Sequence, residues 1–424
     1  MRKLIAILIF ASLILSLSSC TGSREVDESL YVLAIGMDRG VSDKWRLTIY
    51  FPTMRSGEAS GEGKNGSSGG ASGHDQATVD APSFFGAVDI LSAGLPRRID
   101  FTHMESIIIS KDLAESGLLG EFLGPIDRYH EIRRSSRVFV VDGTASDFLK
   151  ESTPIMGSSM SKGVQMVAAS SDENGYFPSI SLQEFYEAVK SPYGQAFTAS
   201  AAVNDFISFE EAGEPWGSEF KTGGKYYAGQ IPRFGKNKID IFGTAIFDAD
   251  KMVGKLNGDE TRFMLMIQGE FEQGVFTMQD PKKRELIIPL LVEAPKKPSI
   301  KVKTNGRTPV IEIKVTLDGE IMAVQSMIGY EEPELKTILE EEFKKIVEEG
   351  IAEVLNKCQA LDADVFYFGG YAARNFLTIE EFESYDWLSH FKDAEFSVEV
   401  EFIIRRTGTL IRSYPIKEVR GEKK

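Results

Sequence analysis

The sequence predicts a multi-domain α+β protein with mixed α/β domains and mainly antiparallel sheets, and three observations lead to this class. Residues 1–19 have the features of an export signal, and the remaining 405 of the 424 residues suit two or three domains. Strand-like and helix-like stretches alternate in the first part of the chain. In the last third, a long amphipathic helix is followed by a strictly alternating strand, a pattern typical of a helix packed on a half-buried sheet.

The first domain is predicted to span residues 20–205. Residues 30–37 form a short apolar run and residues 45–51 alternate, so we expect the two to pair as a hairpin. Residues 55–74 are rich in glycine and serine and are expected to form a loop, because they have nothing large and apolar to bury. The other predicted elements are a helix that starts near Asp80 and Pro82, strands at 104–109 and 137–141, and helices within 113–129, at 144–150 and within 178–189.

A middle domain at 206–290 and a C-terminal domain at 291–424 are predicted to follow. The pattern is weak between residues 152 and 235, after which strands are expected at 238–247 and 262–268. The C-terminal domain should contain a strand at 309–317, a helix at 333–357 and a strand at 396–405 that packs against that helix. On the exposed side of the helix, the spacing allows the ion pairs Glu340–Lys344 and Glu341–Lys345.

Cys20 is the one residue to which the sequence assigns a chemical role. A basic head, Arg2 and Lys3, precedes an apolar run of 14 residues that closes on Leu-Ser-Ser-Cys, an ending that resembles a bacterial lipobox. A lipobox implies that the Cys20 thiol receives a diacylglyceryl group, with acyl chains such as palmitate, before cleavage on its amino side. The alternatives are an ordinary signal peptide or an anchor helix, but a helix that spans a membrane needs about 20 apolar residues.

The charge of the chain limits its partners. The formal charge of −15 becomes −17 when Arg2 and Lys3 leave with the signal. An acidic surface repels nucleic acid and anionic headgroups, so we expect no nucleic-acid partner and attachment to membrane lipid through acylated Cys20. Cys358 would then be the only free thiol, which excludes an intramolecular disulfide, and its apolar context predicts a buried packing residue.

Enzyme-like patterns are weak in this sequence. Gly61, Gly63 and Gly66 fit the dinucleotide spacing GxGxxG, and residues 66–70 fit the hydrolase pattern GxSxG. Both lie in low-complexity sequence, where such matches arise by chance. The four histidines, His74, His103, His130 and His390, are scattered and do not form a local metal motif. We therefore predict no catalytic, cofactor-binding or metal-binding residue, no cofactor and no enzyme activity.

Three small constellations remain without an assigned role. Arg97 and Arg98 with Asp100 form one basic spot, and Arg133 and Arg134 with Arg137 form another. These spots could bind an anion or an acidic partner, although solvated surface or internal ion pairs explain them as well. Residues 364–370 form an aromatic turn whose expected role is packing, in a cluster that could include Trp387 and Phe391.

Taken in order, several segments resemble the Ger(x)C family, the C-subunit lipoproteins of spore germinant receptors. The resemblance starts with the Cys20 lipobox and continues through segments along nearly the whole mature chain. These segments are residues 33–38 (LAIGMD), 97–103 (RRIDFTH), 137–140 (RVFV), 243–247 (GTAIF), 252–256 (MVGKL), 260–262 (ETR), 363–369 (ADVFYFG) and 405–408 (RRTG). Two departures are the loop at 55–74, which looks like an insertion, and the tyrosine within 366–369.

The resemblance implies a three-domain, non-enzymatic receptor component needed for germination in response to nutrients. It would be held by its lipid on the outer face of the cell membrane, which is the inner membrane of the spore, beside integral A- and B-type subunits. We expect it to act as a scaffold or signalling component. The alternative is a solute-binding lipoprotein of a nutrient transporter, which would need two lobes and a cleft. A third possibility, an exported hydrolase, would need a catalytic triad or metal site formed in space.

Overall fold

The fold is organised by two large sheets. It is described here by a computed structural model that covers residues 28–53, 73–152, 169–207, 220–304 and 308–408. The strands are β1 (Ser29–Tyr31), β2 (Ala34–Arg39), β3 (Trp45–Pro52), β4 (His74–Ala81), β5 (Arg98–Asp100), β6 (Ser106–Ser110), β7 (Arg137–Asp142), β8 (Phe197–Val203), β9 (Ile239–Asp248), β10 (Lys251–Leu256), β11 (Gln273–Gln279), β12 (Ile287–Glu293), β13 (Ser299–Lys303), β14 (Val310–Ile321) and β15 (Glu395–Arg406).

Helices cover the sheets and link them. They are α1 (Phe84–Gly94), α2 (Lys111–Glu115), α3 (Leu119–Arg128), α4 (Ala145–Glu151), α5 (Leu182–Val189), α6 (Gly258–Gln268), α7 (Pro333–Ala360), α8 (Phe368–Ala372), α9 (Ile379–Tyr385) and α10 (Trp387–Phe391). Strand pairing is mostly antiparallel with some parallel pairs, so the predicted α+β class is confirmed.

The first sheet has eight strands in the order β10-β9-β8-β7-β6-β2-β3-β4. Its central strands β2, β6, β7 and β8 are parallel, and antiparallel strands flank them on both sides. Both faces of the centre are buried, one under α1, α3 and α5 and the other under α4. A strand covered on both faces has no polar side, which explains the continuous isoleucine run in β6.

The first sheet continues past residue 205, the predicted end of the first domain. β9 and β10 lie in the predicted middle domain, yet they extend the sheet from β8. The domain boundaries stay predictions.

The second sheet has five strands. β11, β12 and β14 pair in that order, β13 pairs with the first half of β14, and β15 runs parallel to β14 along its other edge. One face packs on α7, where the rings of Phe343 and Phe402 lie 4.5 Å apart. The predicted helix and its two neighbouring strands are confirmed, and so is the packing of the helix against the last strand.

Two acidic side chains of α7 cover the open edge of β15. The Glu340 carboxylate accepts a hydrogen bond from the Ile404 amide at 2.8 Å, and Glu348 accepts one from Val400 at 3.2 Å. The helix pairs predicted for Glu340 and Glu341 are therefore wrong. The ion pairs found are Lys344–Glu341 and Lys345–Glu349, because Glu340 turns toward the strand.

The predicted strand at 262–268 is also wrong, because these residues belong to α6. Asn257 and Glu260 form a capping box that starts the helix: each side chain accepts a hydrogen bond from the other residue's amide. The helix lies between the two sheets and is buried nearly all round. An all-apolar run of five residues hides the helical period, so its sequence favoured a strand.

Among the described strands, seven were not predicted, namely β4, β5, β8, β10, β11, β12 and β13, and two of them show the physical reason. β4 is polar and half exposed, and it begins at His74, which the sequence placed in the glycine-rich loop. The rest of that loop lies almost entirely outside the described residues. β8 has three alanines, one serine and one threonine among its seven residues, so its side chains give little hydrophobic signal although nearly all are buried.

We predict opposite effects for alanine at two helical glycines. A Cβ at Gly350 of α7 would lie 2.2 Å from the Phe263 ring, whereas nothing lies within 4 Å at Gly94 of α1. Gly350→Ala should lower the free energy of unfolding by about 1–3 kcal/mol through overpacking. Gly94→Ala should raise it by about 0.5–1 kcal/mol through helix propensity. Urea unfolding of both variants measures the two values, and equal effects would contradict the packing described.

Candidate functional site: a buried junction between the two sheets

The predicted lipid site, Cys20, lies outside the described residues, as do the glycine patterns at 61–70. The predicted buried position of Cys358 is confirmed, since its side chain is fully inaccessible in the core beneath the second sheet. Burial raises the pKa of the Cys358 thiol. A thiol of this kind is unreactive at neutral pH.

The first turn of α6 joins the first sheet to α7. Both carboxylate oxygens of Glu260 accept hydrogen bonds from the Lys357 ammonium group, at 2.7 and 2.9 Å. Burial alone would lower the pKa of Lys357, but the bonds to Glu260 outweigh burial and raise it. Next in sequence, the Thr261 hydroxyl lies 2.9 Å from the hydroxyl of Thr244 in β9, and both side chains are fully buried. The ETR segment is therefore a structural connection.

Arg262 is buried between the segment at Asn174, which precedes β8 of the first sheet, and β11 of the second sheet, and it is only 2% exposed. Its Nε donates to the carbonyl of Asn174 at 2.7 Å, and one terminal nitrogen donates to the carbonyl of Val275 in β11 at 2.9 Å. The guanidinium lies between two rings, 3.7 Å from the centroid of Tyr176 and 4.5 Å from that of Phe276. Burial lowers the pKa of Arg262. Stacking and directed hydrogen bonds together require a planar guanidinium.

Asp364 organises a second contact between the halves. Its fully buried carboxylate accepts four hydrogen bonds, from the amides of Phe366 (3.1 Å), Phe368 (3.2 Å) and Gly369 (3.1 Å) and from the indole of Trp387 (2.8 Å). Burial raises the pKa of Asp364 to about 6, while the four donors favour the charged form. The predicted packing role of this turn and its cluster with Trp387 are confirmed.

Gln195, just before β8, fastens the Asp364 turn to the first sheet. Its side-chain oxygen accepts from the Asp364 amide at 2.5 Å, and its own amide donates to the Asp364 carbonyl at 2.8 Å. Its side-chain nitrogen donates to the carbonyl of Asp362 at 2.8 Å. The backbones approach so closely that a Cβ at Gly369 would lie 2.5 Å from the Tyr193 carbonyl oxygen. No local sequence signal connects positions 195 and 364.

One arginine of each basic spot forms an ion pair within the chain. Arg98 pairs with Glu131 at 3.0 Å, and Arg134 pairs with Asp127 at 3.3 Å. Asp100 accepts a hydrogen bond from the Thr102 amide at 2.8 Å. The interpretation of these residues as internal ion pairs is confirmed for Arg98 and Arg134.

Arg133 and Arg137 are brought together in a shallow cleft of about 590 Å³. Arg137 is partly engaged, since it donates to the carbonyl of Ser179 at 2.8 Å. Three carboxylates also line the cleft, those of Glu105, Asp172 and Glu184. The mixed charges do not form a basic anion site.

At the N-terminus of α4, main-chain amides bind a carboxylate of the same chain, that of Asp38. Asp38, at the carboxyl end of β2, accepts hydrogen bonds from the amides of Ala145 at 2.8 Å and Ser146 at 3.2 Å. Burial raises the pKa of Asp38 against the effect of these two amides. In parallel α/β sheets, such helix ends bind phosphate groups. Here Asp38 occupies that position.

The described histidines contact aromatic rings. His74 stacks on Tyr50 at 5.4 Å between ring centroids, and His390 stacks on Tyr385 at 4.3 Å. His103 meets the Tyr31 ring edge-on at 4.6 Å. Within the described ranges, no group of three His, Cys, Asp or Glu residues could hold a metal ion. No helix among those residues is long and apolar enough to span a membrane.

Comparisons with known proteins match both halves of the chain. The family model "Spore germination protein N-terminal domain" matches residues 22–202, and "Spore germination B3/ GerAC like, C-terminal" matches residues 242–408. Spore germination protein KC of Bacillus subtilis (strain 168) is 23% identical over 98% of both chains. Spore germination protein YndF of the same organism is 22% identical over 96% of this chain and 98% of its own. The crystal structure of the GerBC protein covers 88% of this chain and 96% of its own, with a TM-score of 0.48 and 18% identity.

We predict that Arg262→Lys lowers the free energy of unfolding by about 2–4 kcal/mol, because the ammonium group cannot keep both the ring stacking and the two hydrogen bonds. The control is Arg39→Lys, since the Arg39 side chain is 54% exposed and lies 3.7 Å from Asp112. That change should cost less than about 0.5 kcal/mol. Urea unfolding compares the two, and a small effect at Arg262 would contradict its bridging role.

We predict that Asp364 makes stability depend on pH. Its pKa is about 6 in the native state against 3.8 as the ordinary value, so between these values the native state binds more protons than the unfolded one. Its contribution to stability therefore rises as pH falls, by about 1 kcal/mol between pH 7.5 and 5. Asp364→Asn abolishes this titration, so the difference in unfolding free energy between wild type and variant should grow by that amount at pH 5. A difference that is constant or smaller at pH 5 would refute this assignment.

Proposed function

Because this chain belongs to the Ger(x)C family of spore germination proteins, we propose that it is a subunit of a spore nutrient germinant receptor, held on a membrane by lipid at Cys20. The family resemblance found in the sequence is confirmed by two family models that match residues 22–202 and 242–408 in order. In this proposal the subunit acts as a non-catalytic scaffold or signalling component. It would work on the outer face of the spore's inner membrane, with integral A- and B-type subunits as partners.

One observation carries the non-catalytic part of the proposal. Four polar residues from two of the segments that resemble the family, Glu260, Thr261, Arg262 and Asp364, have partners within the buried junction. Groups that act on a substrate need access to it and a free hydrogen-bonding capacity. These side chains instead join the two sheets, which suits a rigid body that offers its outer surface to partners.

The position of Cys20 supports anchoring close to the membrane. The first described strand begins at Ser29, nine residues after Cys20. Nine residues span at most about 30 Å when fully extended. A lipid at Cys20 would thus hold β1, which pairs with β5, near the bilayer and raise the effective concentration of the subunit for partners on that surface. Weak contacts with those partners could then be sufficient.

The alternative, a solute-binding lipoprotein, is less well supported. That class needs a cleft that opens between two lobes. Here one continuous apolar cluster contains Phe197 and Ile246 of the first sheet together with Phe263, Phe343 and Phe402. A core shared in this way resists hinge opening. Neighbouring genes would separate the two functions, because receptor membrane subunits would support the proposal and a transporter permease with its ATPase would support the alternative.

We predict that Cys20→Ala releases the protein from the membrane and weakens germination triggered by nutrients, since the acidic chain offers no other strong attachment to anionic lipid. Cys358→Ala is the matched control, because it removes the other cysteine, which lies in the core. Membrane fractionation and a germination assay with individual nutrients measure both effects. Full membrane retention together with normal germination in Cys20→Ala would contradict the proposal.

A further inference from the structure

Two aliphatic side chains protrude from the turn that precedes α9. Leu377 is 93% exposed and Ile379 is 64% exposed, and only Thr378 lies between them. Leu377 is the most exposed large apolar residue in the described part of the chain. Single exposed apolar residues are common, but two this close together form a local apolar projection.

The turn that carries them is well anchored. Thr378 caps α9 by accepting a hydrogen bond from the Glu381 amide at 3.2 Å, and the Glu381 carboxylate accepts one from the Leu377 amide at 3.0 Å. On the other side, the Asn375 side chain donates to the carbonyl of Val302 in β13 at 2.8 Å. The exposure of Leu377 is thus built into an ordered turn.

Leu377 also departs from the usual pattern at a helix start. The residue before an N-cap often packs against the fourth helical residue, which is Phe382 in α9. Here Phe376 takes that place, with its ring 5.6 Å from that of Phe382 and 5.1 Å from that of Tyr385. Departures from local rules without a gain in packing often mark functional positions.

Acidic residues surround the projection. Glu380, Glu383 and Asp386 are exposed and form no ion pair with another described residue. Among the cations near this turn, Arg374 lies over the Tyr371 ring at 4.9 Å, and Lys303 of β13 is paired with Glu312. Carboxylates at this density oppose contact with anionic lipid, and they favour a partner that presents basic groups.

We propose that Leu377 and Ile379 are a docking knob that enters an apolar socket, rimmed by lysine or arginine, on an integral membrane subunit. This inference rests on the proposed function and adds a contact surface to it. A buried apolar centre supplies most of the binding energy, and the acidic rim of Glu380 and Glu383 directs the approach.

The test uses the full chain in spores, with an affinity tag, and compares Leu377→Ser and Ile379→Ser with wild type. The tagged protein is isolated from detergent-solubilised spore membranes, and the A- and B-type subunits that accompany it are quantified. We expect Leu377→Ser to reduce their recovery by about tenfold or more, the loss of a central hot-spot residue. Val41→Ser is the control, since Val41 is 80% exposed and stands alone. It should leave recovery unchanged.

A charge-reversal variant provides a second arm. Glu380→Lys combined with Glu383→Lys leaves both aliphatic residues in place and should also lower recovery, with a loss that shrinks as salt is raised. Unchanged recovery in Leu377→Ser and in the charge variant would overturn the knob. Loss of membrane retention before solubilisation, with lipid still on Cys20, would instead identify the knob as a membrane contact and also overturn the proposal. Failure of the unsubstituted chain to recover either subunit would overturn the proposed function itself.

Discussion

A buried carboxylate with only neutral partners is the constraint on which this structure depends. Asp364 has no accessible surface, and its described partners are three main-chain amides and one indole. A charge taken out of water is tolerated only when donors surround it. These donors fix the turn at 364–370, and the turn in turn presents its backbone to Gln195 in front of β8. The link between the two sheets thus follows from the need to satisfy one side chain.

The second link between the two sheets runs through α6, where buried charged groups again have hydrogen-bonding partners. Glu260 satisfies the start of the helix and the Lys357 ammonium group at once, and Arg262 covers a carbonyl at the outer edge of β11. Glu340 and Glu348 cover the open edge of β15 in a similar way. Exposed strand edges invite uncontrolled pairing with other chains. Because side chains of the same chain bind to these edges, a partner protein would have to recognise other surface features, such as the turn at Leu377.

The spacing of apolar residues correctly predicted the helices and strands that bury one face and expose the other. α7, β14 and β15 each have one buried and one solvated face, so their patterns identify them. α6 is buried nearly all round and lost its helical pattern, while β8 is built from small residues. The role of Asp364 could not be predicted, since its partner Gln195 lies 169 positions away and the bond exists only in the folded chain. The Asn257–Glu260 capping box and Gly269, which ends the helix in the left-handed conformation, were the local signals that could have identified α6.

The central claim is that the two sheets form a single body through the junction at Asp364, Gln195 and Arg262. Native-state hydrogen exchange in increasing denaturant tests it most directly, because it measures the opening free energy of each segment separately. We expect the amides of β8 and β14 to exchange through one common opening, with the same free energy and the same dependence on denaturant. Exchange of β14 at lower denaturant than β8 would show that the sheets open independently, and it would contradict the claim.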